Sequence, residues 1–282
     1  MKAEIFDARS CLLGEGPLWH PLRQQLFWFD ILNKKLMSRI GVQDWEWQFD
    51  EYVSAAGWIT KTDLLIASET QLFTFNVETS EVGQSFVLEA DNAITRSNDG
   101  RADPWGGFWI GTMGKKAQTA AGSIYRFYQG EIVSLYSGLT IPNSICFSPD
   151  RQFGYYADTA SQQIMRQALD DNGWPKGQAS VFIDLTEEGL NPDGSVIDTD
   201  GALWNAQWGA ARVARYASDG QYVSEVPMPA RQVTCPAFGG HNLRTLFATS
   251  ASEGLKNPSA DDGATFHHML EVAGQQEHSV KL

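Results

Sequence analysis

Short apolar runs of one kind recur along this chain every forty to fifty residues, and that recurrence limits its fold more than any other feature. The runs are QQLFWFDI, DLLIASE, GGFWIGTM, FGYYADTA, ALWNAQWG and RTLFATSA, each rich in aromatic or β-branched residues and bounded by Gly, Asp, Pro or Asn. Centred on Trp28, Ile66, Trp109, Tyr155, Trp204 and Phe247, they are 38, 43, 46, 49 and 43 residues apart. No window shows an apolar stripe at helical spacing between caps. Turn sequences such as SPDRQ and DTDGA precede most runs, and a further strand follows several of them, as in GSIYRFYQG, QIMRQALDD and ARVARYASDG. A period of roughly 40–50 residues with several strands in each unit is that of propeller blades. Six markers in 282 residues predict an all-β chain of six four-stranded blades, one domain over residues 1–282. A β-sandwich or β-helix is the alternative. AEIFDARS is expected to add an outer strand to the last blade, so that no long sheet edge remains. The polar stretch KNPSADDGATFHH is expected to be a last-blade loop.

Composition narrows the partners. Hydrophobic residues make up 43% of the chain, enough for a large core and too many for a disordered chain. The formal net charge is −13, from 21 Lys and Arg against 34 Asp and Glu. That balance argues against nucleic acid and against an anionic membrane surface, both of which need clustered cations. Cys11, Cys146 and Cys235 are far apart and odd in number, which argues against a disulfide framework or a thiolate zinc site. The N-terminus lacks a signal-peptide core, and no apolar run reaches the roughly 18 residues of a membrane span. The expectation is a cytoplasmic protein with reduced thiols, a monomer or small homo-oligomer.

Four polar clusters stand at the expected blade entries: GEGP (14–17), RSNDGRAD (96–103), IPNS (141–144) and NPDGS (191–195). Each is read as a turn leading into a strand. A propeller aims the ends of its inner strands at a common axis, so residues more than a hundred positions apart can meet. Oxygen ligands from Glu, Asn and Asp suit Ca²⁺, Mg²⁺ or Mn²⁺, and zinc or ferrous iron with fewer ligands. An isolated Asp or Asn beside Gly or Pro is usually a turn-former bonding its own backbone. Glu15, wedged between two glycines, is poorly suited to that task.

LLGEGPLWHPLRQQLFWFDI, RSNDGRADPWGGFWIGTMG, IPNSICFSPD, YYADT, NPDGSVIDTDGALW and the AFGG…LFATSA pair together resemble the gluconolactonase, regucalcin and luciferin-regenerating-enzyme family. The resemblance is collinear over nearly the whole chain. It implies a six-bladed propeller with one divalent cation, whether Ca, Zn, Mg, Mn or Fe, at one mouth of the channel. Matched motif by motif, it implies Glu15, Asn143 and Asp193 as metal ligands, and Arg96 and Asn98 as substrate-binding residues. One family feature does not map. Regucalcin-like members carry a substrate-contacting Glu shortly after GTM, whereas GTMGKKAQTAAGSIYRF has none, in the manner of bacterial sugar lactonases.

The implied reaction is hydrolysis of a sugar acid lactone, a cyclic ester, to the open-chain acid. A divalent ion at the carbonyl oxygen stabilises the charge of the tetrahedral transition state. Asp193 is the candidate general base; the alternative is that it is a ligand only. Arylesterase or phosphotriesterase chemistry, and a non-catalytic metal-binding propeller, are the competing readings. Asp99 is read as a turn-former in the NDG bend, Asp158 as structural, and Trp19 and Trp208 as blade packing. The histidines show no zinc spacing, there is no GxSxG elbow, and Cys146 is read as core.

Overall fold

A computed structural model describes residues 2–282, and its elements fall into six four-stranded antiparallel sheets. After β1 (Glu4–Asp7), the first blade consists of β2 (Gly14–His20), β3 (Gln25–Asp30), β4 (Lys35–Ile40) and β5 (Gln43–Gln48), and the second of β6 (Val53–Trp58), β7 (Asp63–Ser68), β8 (Gln71–Asn76) and β9 (Val82–Val87). The third is β10 (Thr95–Ala102), β11 (Phe108–Gly114), β12 (Gly122–Tyr128) and β13 (Glu131–Leu139); the fourth is β14 (Pro142–Phe147), β15 (Phe153–Asp158), β16 (Gln163–Ala168) and β17 (Ser180–Asp184). The fifth is β18 (Asn191–Ile197), β19 (Leu203–Trp208), β20 (Arg212–Tyr216) and β21 (Tyr222–Pro227); the sixth holds β22 (Gln232–Gly239), β23 (Thr245–Ala251) and β24 (Thr265–Met269). Each first strand contacts those of the neighbouring blades, and β22 meets β2, which closes the ring into a six-bladed propeller. A 3₁₀ turn at Thr159–Ser161 is the one helical element among the described residues.

The six apolar runs that set the period are the second strands of the blades. Their alternate residues face opposite neighbours, so both faces are buried and the apolar run is continuous. In β3, Phe27 and Phe29 pack with Leu64, Ile66, Phe73 and Phe75 of blade two, whereas Trp28 packs the other way, with Trp19 and Phe247. Trp19 stacks on Phe247, ring centroids 5.6 Å apart, so its packing role holds.

β1 is the outermost strand of blade six, with Ile5 opposite Phe266 and Glu4 opposite His267. The N-terminal expectation therefore holds, but the polar stretch after Lys256 is only partly a loop. Its end, from Thr265, is the third strand of the blade, paired with β23 on one side and β1 on the other. His267 and His268 disguise it as a loop sequence.

The four polar clusters are corrected more substantially. They lie within the inner strands rather than in turns before them. The registers of β2, β6, β10, β14, β18 and β22 against their second strands each break at one place, between Glu15 and Leu18, Val53 and Ala55, Ser97 and Gly100, Asn143 and Cys146, Pro192 and Ser195, and Val233 and Pro236. A bulge bends a strand and re-aims its side chains, often beside an active site. The Gly, Pro, Asn and Asp that look like turn signals are the residues such a break tolerates.

The opposite mouth is covered by the last residues of the chain. Gln275 donates from Nε2 to the carbonyls of Phe147 and Ile197, at 3.0 and 3.2 Å. Val280 N bonds to Trp58 O and Lys281 N to Gly106 O, both at 2.8 Å. These contacts lie at or beyond the C-terminal ends of the inner strands, away from the bulges.

Candidate active site

The bulges of blades one, three, four and five turn their polar side chains toward one mouth. Glu15 follows Gly14 in β2, and the amide of Gly16 donates to its Oε2 at 2.9 Å. Gly16 has a φ of 53°, and a Cβ there would run into the carbonyl oxygen of Ser54, so only glycine fits. In β14, Asn143 donates from Nδ2 to Thr159 Oγ1 at 2.9 Å, and that hydroxyl donates to Pro192 O at 2.7 Å. This fixes which end of the amide is oxygen. Asn143 Oδ1 accepts from Asn98 Nδ2 at 3.0 Å and, as a carbonyl, keeps a second lone pair. Asn98 Oδ1 in turn accepts from Arg96 Nη1 at 2.9 Å. Asp193 in β18 has its backbone carbonyl held by Ser144 Oγ and, at 3.1 Å, by Asn205 Nδ2.

All five residues read from the motifs, Glu15, Arg96, Asn98, Asn143 and Asp193, are buried and line one cavity of about 490 Å³. Its wall also includes Leu13, Met113, Thr159, Trp208 and Glu253. Trp208 thus reaches the site as well as the hydrophobic cluster around β3.

The cavity wall carries three carboxyls, Glu15, Asp193 and Glu253, and three cations, Arg96, Lys115 and Lys116, yet no ion pair holds Glu15 or Asp193 among the described residues. Burial pushes the Glu15 carboxyl up to about 8, and the nearby Asp99 charge adds to the effect. Asp193 moves the same way, well above the usual carboxylate range, through burial and the charge of Glu15. The buried Arg96 is lowered by its desolvation, although Glu15 and Glu253 oppose this. Two adjacent buried carboxyls that resist ionising, beside a fixed amide oxygen, are a donor set that fits a hard divalent cation. Among the described residues there is no metal-type cluster of three or more His, Cys, Asp or Glu; the set here depends on an Asn.

Asp99 is no turn-former. It lies in β10 and accepts the amide of Ile145 at 2.7 Å, a group that the β14 bulge leaves outside the ladder. Asp158 is structural, its carboxylate taking the amides of Thr140, Ile141 and Ala160. Cys146 is buried among the blade-four and blade-five core residues. Sequence assigned no role to Thr159 or Glu253: Glu253 sits in no motif, and YYADT, which closes β15 and ends on Thr159, was the one available signal. The GTM segment brings Lys115 and Lys116 to the cavity. Lys115 is held by Glu69 and by Ala93 O.

Fold and site together define a six-bladed β-propeller with an oxygen-rich pocket at one end of its channel. Residues 13–252 match the family described as the SMP-30/Gluconolactonase/LRE-like region, and the chain belongs to that family. It is 32% identical to a 6-deoxy-6-sulfogluconolactonase of Pseudomonas putida, the match covering 94% of each chain. It is 30% identical to a pentonolactonase of Haloferax volcanii, over 95% of this chain and 94% of the other. Among solved structures, a calcium-binding regucalcin from Agrobacterium tumefaciens superposes with a TM-score of 0.96 at 40% identity, covering 100% of this chain and 98% of the other.

Proposed function

We propose that the chain is a hydrolase of sugar acid lactones, working with one divalent cation held by Glu15, Asn143 and Asp193. The observation that carries this reading is the convergence of two buried, hard-to-ionise carboxyls and a fixed amide oxygen in a cavity that also holds Arg96 and Asn98. The lactonases among its relatives support the reaction class, and the calcium-binding regucalcin supports a cation.

When bound, the cation supplies Lewis acidity at the lactone carbonyl oxygen. Arg96 and Asn98 hold the ring hydroxyls, their polar groups pre-set by the hydrogen bond between them. Asp193 orients a water toward the carbonyl carbon and takes its proton. The new carbon–oxygen bond forms as the ring ester bond breaks, and the proton passes to the departing ring oxygen. The products are a carboxylic acid and a hydroxyl on one open chain. Lys116 and Glu253 have no ion pair among the described residues and stand at the cavity wall, where sugar hydroxyls would meet them.

The test is base uptake on adding fresh glucono-, galactono-, xylono- and arabinonolactones, with Mn²⁺, Ca²⁺, Mg²⁺, Zn²⁺ or Fe²⁺ and a chelated control. Metal-dependent acid release from at least one lactone is expected. Turnover of aryl or phosphotriester substrates with no lactone turnover would replace this reading, and cation binding with no turnover of either would leave a binding protein.

A further inference from the structure

The bulge in β14 places Asn143, and it also strips Ile145 of its ladder partners, since the register of β14 against β15 jumps from Asn143 to Cys146. Both backbone groups of Ile145 are recovered from β10. Asp99 accepts its N–H at 2.7 Å, and Arg101 Nε donates to its carbonyl at 3.2 Å. Asn98 adds a third tie, donating to Pro142 O at 3.0 Å. The two strands that carry Asn98 and Asn143 are therefore locked to each other by one short run of β10.

Arg101 is the buried cation of that lock, and its charge is answered from outside the blades. Its Nη1 forms an ion pair with Glu277, in the terminal segment that covers the opposite mouth; their side chains are 12% and 8% exposed. Glu277 is itself fixed, its backbone carbonyl accepting from Trp58 Nε1 at 2.9 Å. Three residues of chain, broken by the β10 bulge, separate Arg101 from Asn98, so their Cα atoms lie at most about 10 Å apart. At that range an unmatched guanidinium in a low-dielectric channel acts on a divalent cation, and it would compete for Asp99.

We infer that Glu277 is a positioning residue for the cation site: by neutralising Arg101 it keeps that side chain on Ile145 and removes a positive charge from beneath the pocket. The inference rests on the proposed cation at Glu15, Asn143 and Asp193. Glu277 touches neither substrate nor cation, and acts through Arg101 and β14.

The experiment is calorimetric titration of the full chain with Mn²⁺, alongside thermal melts. The Glu277→Gln variant should bind Mn²⁺ about 5- to 20-fold more weakly than the parent, the range of one screened charge acting over this distance. The Gln275→Ala variant loosens the same segment without altering charge; it should lower the melting temperature and leave Mn²⁺ affinity within about twofold. The double variant Glu277→Gln with Arg101→Gln removes both charges together with the tie to Ile145; it should recover the electrostatic part of the affinity lost in Glu277→Gln alone, which a loss of mere rigidity would not produce. If Glu277→Gln fails to fold, the double variant decides: affinity within about tenfold of the parent, the most that the lost Ile145 bond should cost, supports the inference, and a greater loss overturns it. Parent-like Mn²⁺ affinity in folded Glu277→Gln overturns it, as does equal weakening by Gln275→Ala. A parent that takes up no divalent cation overturns the site reading itself, a result distinct from both.

Discussion

Blades one, three, four and five and blades two and six share one backbone device and use it differently. In all six, the inner strand breaks register against its neighbour. In the first group the break presents Glu15, Asn98, Asn143 and Asp193 to the cavity. In the second it presents Ser54 and Thr234, whose hydroxyls turn sideways. Ser54 Oγ donates to Ser97 Oγ at 2.7 Å, next to Asn98, and Thr234 Oγ1 donates to Gly14 O, next to Glu15. The bulge supplies the geometry and the side chain supplies the chemistry. Blades two and six, which send no side chain from their bulges into the cavity, brace the neighbours that do.

That contrast breaks most visibly at Asp193. Asp193→Asn keeps the shape and a side-chain oxygen but removes the proposed base and a charge, and kcat should fall by about 10²-fold or more. Metal content must be measured on the same sample. A metal-loaded variant with near-parental kcat would remove the base role and leave Asp193 a ligand.

Arg96→Ala should raise KM by about 10- to 100-fold, the range of a lost charged hydrogen bond, with a smaller loss in kcat. Steady-state kinetics on the best lactone separates the two, and a loss confined to kcat would move Arg96 into the chemical step.

The third effect is on stability. Glu15 is raised from 4.5 to about 8 in the fold, so the folded chain holds that proton more tightly than the unfolded chain does. The stabilisation is complete below about pH 4.5 and is lost as pH rises toward about 8; Asp193, shifted the same way, adds to it. Chelated protein should melt at least about 5 °C lower at pH 8 than at pH 5, and a saturating divalent cation should remove most of that drop. A flat profile under chelation would mean that both carboxyls ionise without help.

The smallest effect belongs to the bracing blades. Ser54→Ala should cost about 1 kcal/mol of stability by denaturant titration and leave kcat/KM within about threefold. A loss as large as that of Arg96→Ala would erase the distinction between the two kinds of blade.

Sequence carries the period of this fold clearly, because each second strand is buried on both faces and reads as a short apolar run. It also carries the five motif residues, whose order along the chain resembles one family. It does not carry their local conformation. Asp99, Asn143 and Asp193 neighbour Gly or Pro, a pattern shared by turns and bulges, and only pairing with the next strand separates them. The ties of Arg101 to Glu277, and of Asn143 to Thr159, join residues from different elements, and no local pattern marks either end. The third strand of blade six hides for a related reason: its outer partner is β1, more than 250 positions away in the chain.

That pairing of Glu4–Asp7 with Thr265–Met269 sets a timetable for synthesis. Blades one to five can each assemble from consecutive strands as they leave the ribosome. The first strand of the chain has no partner until the last blade emerges. At roughly 5–20 residues per second, β1 waits on the order of 13 to 50 seconds with its backbone unpaired. Ile5 stays 46% exposed even in the finished ring. Among the described segments, it is this short N-terminal strand that a chaperone would have the longest time to meet, and ring closure is the step most open to a second chain supplying the strand instead.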